Sequence, residues 1–307
     1  MKKWKVLLPQ PIAKAGMELL EKSDKFEVIV FSSPDMEEVK RVAGEIDAIV
    51  VRSGFKVHKE LIDLAPRLKV ISRVGAGLDN IDVAYAQSKG IKVLNVEGIN
   101  ALSVAEHTIS FILALAKNLF EFDRCVRQGS WDIRYAYKAF ELEGKILGLV
   151  GLGSIGKEVA RLALALGIKV VFYDPFIKEI GGLSVERIDD LQVLLRQSDF
   201  VSLHVPLNED TKKMIDEDEL RTMKPTAFLI NVSRGLIVNN EALCKALQEK
   251  WIAGAGIDVF AEEPPPLDDP LLRLENVILT PHVAGLTKES SEKVALQAIE
   301  NLIKALE

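Results

Sequence analysis

Cysteine is scarce in this chain: there are two in 307 residues, Cys125 and Cys244, with neither a Cys-x-x-Cys spacing nor a Cys/His cluster around them. That pattern excludes a disulfide framework or a zinc site as the source of stability, and fits free thiols in a reducing cytoplasm. No metal is expected. Excess positive charge is also missing, because 39 Lys and Arg stand against 45 Asp and Glu, a net charge of −6. Neither nucleic acid nor an anionic membrane is therefore expected as the partner. No apolar run reaches the length of a bilayer span. The lysine-bearing N-terminus is broken by Pro9 and Pro11, so it reads as a first strand rather than a signal peptide. Internal repeats and low-complexity tracts are lacking as well.

What is present is enough apolar material, 48% of residues, for two ordinary domains. Short apolar runs at Val6–Leu8, Val28–Phe31, Ala48–Val51, Val70–Ser72 and Val93–Asn95 alternate with amphipathic stretches. This alternation predicts an α/β domain with a parallel sheet in roughly the first hundred residues. Asn100 to Phe120 reads as one long apolar helix, capped by Asn100 or Ser103, with Ser103-x-x-Glu106 resembling a capping box. The segment Glu121–Glu143 carries Trp131, Tyr135, Tyr137 and Phe140 on an irregular arm, which suits a subunit contact, an active-site wall or a plain connector.

A second α/β domain is organised around Lys145 to Pro175. There the run Ile146–Val150 meets Gly151-Leu152-Gly153-Ser154-Ile155-Gly156, a helical segment follows, and the run Val170–Tyr173 ends in Asp174. Strand, glycine turn, helix, strand and acid in that order predict a dinucleotide site. Gly151 allows the turn, Gly153 allows backbone amides to approach a diphosphate, and Gly156 allows close helix–strand packing. The diphosphate would lie at the helix start near Ser154. Asp174, 174 − 151 = 23 positions after the first glycine, is spaced to reach the hydroxyls of an adenosine ribose. A carboxylate there repels a 2′-phosphate, and Pro175–Glu179 contains no arginine, so NAD is expected over NADP. Further strands are predicted at Phe200–His204, Ala227–Asn231, Gly254–Asp258 and Val277–Leu279, with a helix at Asn239–Glu249 and another from Thr287 to the C-terminus.

Nicotinamide chemistry needs a proton donor or acceptor beside the carbon that exchanges hydride, a task that suits histidine. Of four histidines, His58 sits among lysines on a surface helix. His107 lies in the long apolar helix, where packing competes with cofactor contact. His204 ends a strand without an acid near it in sequence. His282, in Leu279-Thr280-Pro281-His282, falls just past the last strand on the same carboxyl-terminal rim as the glycine turn, and is the best acid/base candidate. Arg234, in Asn231-Val232-Ser233-Arg234-Gly235, and Glu263, after Asp258-Val259-Phe260, share that rim. A guanidinium grips a carboxylate and polarises a carbonyl, while a carboxylate orients an imidazole. In the first domain, Arg52-Ser53-Gly54 and Arg73-Val74-Gly75-Ala76-Gly77 follow strand ends, where open α/β sheets place ligands. Alternatively, the second of these is a tight turn, with Asp79 or Asn80 capping the next helix.

Taken together, these segments resemble the D-isomer-specific 2-hydroxyacid dehydrogenases over nearly the whole chain, nearest to the D-3-phosphoglycerate dehydrogenase branch in a short form. The resemblance implies two Rossmann-like doubly wound parallel-sheet domains, with the cofactor domain (100–282) inserted in a substrate domain (1–99 and 283–307). It implies His282 as acid/base, Glu263 as its partner and Arg234 as substrate clamp. It implies that Arg52, Ser53, Asn100 and the backbone amides of Val74, Gly75, Ala76 and Gly77 bind substrate. On the cofactor side it adds Thr108, His204, Pro206, Thr211, Val232, Ser233 and Asp258, the last near the nicotinamide amide. It further implies a homodimer built by the long helix and its arm, and a cleft that closes on a small 2-keto acid. The resemblance favours 3-phosphoglycerate as substrate, with glyoxylate, hydroxypyruvate, lactate or sulfolactate as alternatives, since Gly54 and Asn100-Ala101-Leu102-Ser103 offer fewer phosphate donors than the phosphoglycerate enzymes show. A dinucleotide-sensing corepressor is the rival from another class.

Overall fold

The computed structural model describes residues 3–33 and 35–307. The chain divides into two compact units, one formed by Met1–Asn100 with Leu286–Glu307, the other by Ala101–Gly285.

The smaller unit holds β1 (Trp4–Leu8), β2 (Phe26–Val30), β3 (Ala48–Val51), β4 (Val70–Arg73) and β5 (Lys92–Leu94), all parallel, in the order β2-β1-β3-β4-β5. Alternating residues feed two cores. Leu7, Ile49, Val51 and Ile71 point to one face, and Val6, Leu8, Val50 and Val70 to the other. A sheet covered on both faces is the expected habit of parallel pairing. The helix Lys288–Leu306 covers the second face with Ala295, Ile299 and Leu302, and Thr287 caps it by accepting from the Ser290 amide.

The larger unit holds β6 (Ile146–Val150), β7 (Lys169–Tyr173), β8 (Val185–Arg187), β9 (Phe200–Leu203), β10 (Phe228–Asn231), β11 (Gly254–Ile257) and β12 (Val277–Leu279). Their order is β12-β11-β10-β9-β6-β7-β8, again all parallel. The winding reverses between β6 and β9, the point at which such sheets open a crevice for a ligand. Strand β8 was not foreseen from the sequence, since Val185-Glu186-Arg187 is too short and polar to signal itself.

The long helix runs over Ala101–Ala116, shorter than predicted, and ends where Asn118 takes a left-handed backbone (φ 52°) before a second helix, Leu119–Arg127. Asparagine accepts that conformation readily. Ser103 lies inside the helix, so the expected capping box with Glu106 does not form at its start. The arm is less irregular than expected: the second helix and a 3-10 turn at Trp131–Ala136 occupy much of it, and both expose aromatic side chains.

The glycine turn has two steric requirements. Gly151 has φ +94°, and a Cβ on it would lie 2.6 Å from the His204 carbonyl oxygen. A Cβ on Gly156 would lie 2.4 Å from the Gly151 carbonyl oxygen, so this glycine lets the helix Ser154–Ala165 sit on the turn. At Gly153 nothing lies within 4 Å. Gly156→Ala is therefore expected to cost about 1–3 kcal/mol of unfolding free energy in a denaturant titration, whereas Gly153→Ala should leave stability within about 0.5 kcal/mol. Equal losses in both variants would contradict this steric account.

Candidate active site

Strands β10, β11 and β12 pair in matching register, with Asn231 beside Ile257 and Ile257 beside Leu279. The three loops that leave them start side by side. Arg234 follows β10, Glu263 follows β11 and His282 follows β12. The first two loops pack directly on one another, because a Cβ on Gly235 would overlap the Phe260 backbone. Arg234 Nη1 donates to the Ser233 carbonyl at 2.7 Å.

His282 Nδ1 lies 2.7 Å from Glu263 Oε2. The other Glu263 oxygen accepts the Phe260 amide at 3.1 Å, so both oxygens are engaged and the carboxylate cannot swing away. Burial pushes the Glu263 pKa up, but the His282 contact, the Phe260 amide and the Arg234 charge outweigh it and hold the carboxyl below its ordinary value. With Nδ1 committed to a carboxylate, Nε2 is the nitrogen left for a reacting group. Beside the pair lies a cavity of about 420 Å³ walled by Phe260, Pro264, Pro265, Leu272, Leu279 and Pro281. Apart from His282, its walls carry no basic side chain.

His282 itself has a left-handed backbone (φ 53°), uncommon for a residue with a side chain. The turn is held by Asp258, which is fully buried. Its carboxylate accepts the amides of Val283 and Ala284, each at 2.9 Å, and the Thr280 hydroxyl, while its own carbonyl accepts the His282 amide at 2.7 Å. Both Asp258 oxygens are thus engaged by the His282 turn, on which two amides and a hydroxyl converge.

Thr108 is fully buried, and its hydroxyl donates to the Val104 carbonyl within the same helix at 2.9 Å.

At the switch point, the helix Ser154–Ala165 starts with no side chain capping it, and its first-turn amides face the open side of Gly153. Asp174 accepts the amides of Leu152 (2.9 Å), Phe176 (2.8 Å) and Ile177 (2.9 Å). Burial raises its pKa, but these three donors prevail and keep it ionised below the usual carboxylate range. Arg187 on the unforeseen β8 adds a weaker pull in the same direction. The residues thus suit a dinucleotide: an open glycine, free helix-start amides and an ionised acid at the second strand end. Val232 is buried beneath this edge and the Ser233 hydroxyl bonds the Leu203 carbonyl, while the Thr211 hydroxyl closes the Pro206–Thr211 loop on the Pro206 carbonyl. Among the described residues, no group of acids, histidines and cysteines could hold a metal ion, and no helix is long and apolar enough to cross a membrane.

In the smaller unit, the Val74 amide donates to Val51 and the Gly75 amide to Arg73. Of the four amides expected to bind substrate, those two are spent on the turn, leaving Ala76 and Gly77. Neither Asp79 nor Asn80 caps the helix after this loop; Asp82 does, accepting the Tyr85 amide at 3.1 Å. Asn80 instead ties the Arg52 and Phe55 carbonyls together. Arg52 leans on the Pro11 carbonyl at 3.4 Å, Ser53 is exposed and Asn100 is half-buried.

Residues 109–284 match the family described as D-isomer specific 2-hydroxyacid dehydrogenase, NAD binding domain. The chain belongs to the D-isomer-specific 2-hydroxyacid dehydrogenase family. It is 40% identical to a glyoxylate reductase of Korarchaeum cryptofilum over 97% of this chain and 92% of that protein. It is also 40% identical to a D-3-phosphoglycerate dehydrogenase of Methanocaldococcus jannaschii, over 98% of this chain but 57% of that protein, so it spans little more than half the length of that relative. Among solved structures, the D-lactate dehydrogenase of Aquifex aeolicus complexed with NAD and lactic acid overlays with a TM-score of 0.89 at 31% identity, covering 98% of this chain and 95% of that one. As a member of this family, the dehydrogenase is an oxidoreductase acting on CH-OH groups with NAD, the larger unit being the NAD-binding domain.

His204 beneath the glycine turn makes a prediction of its own. Its Nε2 meets Ser202 Oγ at 2.9 Å, its Nδ1 is occluded without a partner, and burial pushes its pKa down to about 3 from the ordinary 6.5. The unfolded chain binds a proton below pH 6.5 that the native protein refuses until about pH 3, so stability falls as pH drops through that window. At pH 5 the loss relative to neutral is up to about 2 kcal/mol. His204→Asn should flatten the fall in unfolding free energy between pH 7 and 5. Parallel curves for the two proteins would show that His204 titrates normally.

Proposed function

We propose that this dehydrogenase interconverts a small, unphosphorylated 2-keto acid of glyoxylate or hydroxypyruvate size with the D-2-hydroxy acid, using NAD(H), and that His282, Glu263 and Arg234 carry the reaction. The observation behind this is the 2.7 Å His282–Glu263 contact at three adjacent strand ends. Bound NAD(H) supplies the hydride exchanged with C2. His282 Nε2 gives a proton to the carbonyl oxygen during reduction and takes it from the hydroxyl during oxidation. Glu263 fixes the imidazole tautomer and stabilises its charged form. Arg234 binds the substrate carboxylate as a fork and stabilises charge on the carbonyl oxygen.

Ala76 and Gly77 amides are proposed as additional carboxylate donors, and Arg52, Ser53 and Asn100 as contacts of the smaller unit. The 3-phosphate substrate favoured from sequence is set second. The cavity beside His282 carries no other basic side chain, Gly54 and Ser103 supply few phosphate donors, and the glyoxylate reductase relative matches over nearly its whole length. The exposed Phe120, Trp131 and Tyr137 support a homodimer, and a cytosolic location is proposed with it.

His282→Asn is the informative variant, since asparagine accepts the left-handed backbone that alanine would strain. Turnover should fall by about 10²-fold or more with NADH affinity unchanged, and near-normal turnover would remove His282 from the mechanism. Arg234→Lys should raise KM for the keto acid although the charge is kept. An NADH absorbance assay across glyoxylate, hydroxypyruvate, 3-phosphohydroxypyruvate and pyruvate decides the substrate. Preference for the phosphorylated acid would reverse our choice, and silence throughout would favour the corepressor-like role.

A further inference from the structure

His107 is employed neither by the proposed mechanism nor by the glycine turn, yet it is not simply packed away. It projects from the helix Ala101–Ala116, its ring edge against Phe111 at 4.7 Å between centroids, and its Nε2 lies 3.0 Å from Thr280 Oγ1. The Thr280 hydroxyl in turn lies against Asp258 Oδ1.

The direction of these bonds is forced by proton supply. A carboxylate only accepts, so the single hydroxyl proton of Thr280 points to Asp258. Thr280 Oγ1 then has only lone pairs to offer His107, so Nε2 must carry the proton that bridges them. The chain of donors therefore runs His107 to Thr280 to Asp258, and Asp258 receives in addition the amides of Val283 and Ala284, the two residues that follow the left-handed His282. His107 Nε2 is itself 3.8 Å from Asp258 Oδ1, which makes it the nearest ring donor to a carboxylate with no exposure to water.

We propose that His107 is a positioning residue for His282: it acts through Thr280 and Asp258 to hold the strained turn that aims the catalytic imidazole. Without the His107 donor, nothing holds the Thr280 rotamer that aims its hydroxyl at Asp258, that bond loosens in a dry site, and the turn relaxes from φ 53°. The imidazole then leaves its line with Glu263. Misplacement of a catalytic group on this scale costs turnover rather than cofactor binding. The inference rests on the proposed role of His282.

The test uses variants that separate packing from hydrogen bonding. His107→Phe keeps a ring against Phe111 but has no donor. His107→Gln places an amide N–H near the position of Nε2. Thr280→Val keeps shape and loses the hydroxyl, and Thr280→Ser keeps the hydroxyl. Steady-state kinetics with the best keto acid should show kcat reduced roughly 10- to 100-fold in His107→Phe and in Thr280→Val, with NADH affinity unchanged. His107→Gln and Thr280→Ser should recover most of the rate, and the Phe/Val double variant should be no slower than the worse single one. Losses that multiply in the double variant, or a His107→Gln protein as slow as His107→Phe, would overturn the relay.

A readout independent of turnover separates this inference from the proposed function. In ¹⁵N-histidine spectra the His282 ring resonances should move in His107→Phe and Thr280→Val, and return in His107→Gln. Unmoved resonances reject the relay even in an active enzyme, whereas a wild-type protein silent on every keto acid rejects the function and leaves the spectra to judge the relay.

Discussion

Matching register in the parallel sheet of the larger unit is the constraint on which the site depends. Because β10, β11 and β12 end level with one another, a guanidinium, a carboxylate and an imidazole leave the same edge although 29 and 19 residues separate them in sequence (263 − 234 and 282 − 263). A slip of one residue in any strand would send its apolar set to the wrong face and carry its loop with it. The cores on both sides of the sheet, with Leu229 facing one way and Ile230 the other, make such a slip costly. The hydrophobic burial that folds the unit thus also sets the origin of each of the three loops proposed to carry the reaction.

Register brings the loops together, but it does not aim the side chains. That is the work of carboxylates whose oxygens are already engaged. Glu263 is pinned by the Phe260 amide on one oxygen and by His282 on the other. Asp258 gathers the turn around His282 from beneath. An acceptor held in this way needs little reorganisation when charge appears on the imidazole, which is the property that electrostatic preorganisation requires.

Much of this was legible in the sequence for a physical reason. Two buried-face sheets need near-continuous apolar runs, so eleven of the twelve strands, all but β8, coincided with or overlapped such runs. The glycine turn was readable because Gly151 and Gly156 answer to steric demands that few other residues meet. What stayed hidden depended on direction and contact. Nothing in Thr108 announces that it faces the core, and nothing in Asp258 announces that backbone amides from 25 residues further on would reach it. The end of the long helix was missed because a left-handed asparagine is a local choice inside an otherwise helical pattern. Arg187 was missed with the short strand that bears it. The polar Thr280 in front of Pro281-His282 was the one available hint of the network behind His282.

Asp174, the residue expected to meet the adenosine ribose, is also part of the fold. Its carboxylate closes the glycine turn onto the second strand end through the Leu152, Phe176 and Ile177 amides before any ribose arrives. A lineage drifting toward a phosphorylated cofactor could not simply discard this acid, for it would strand the Leu152, Phe176 and Ile177 amides at once. Such a switch would have to rebuild the turn, and the neighbouring Arg187 could serve a new anion only after that repair.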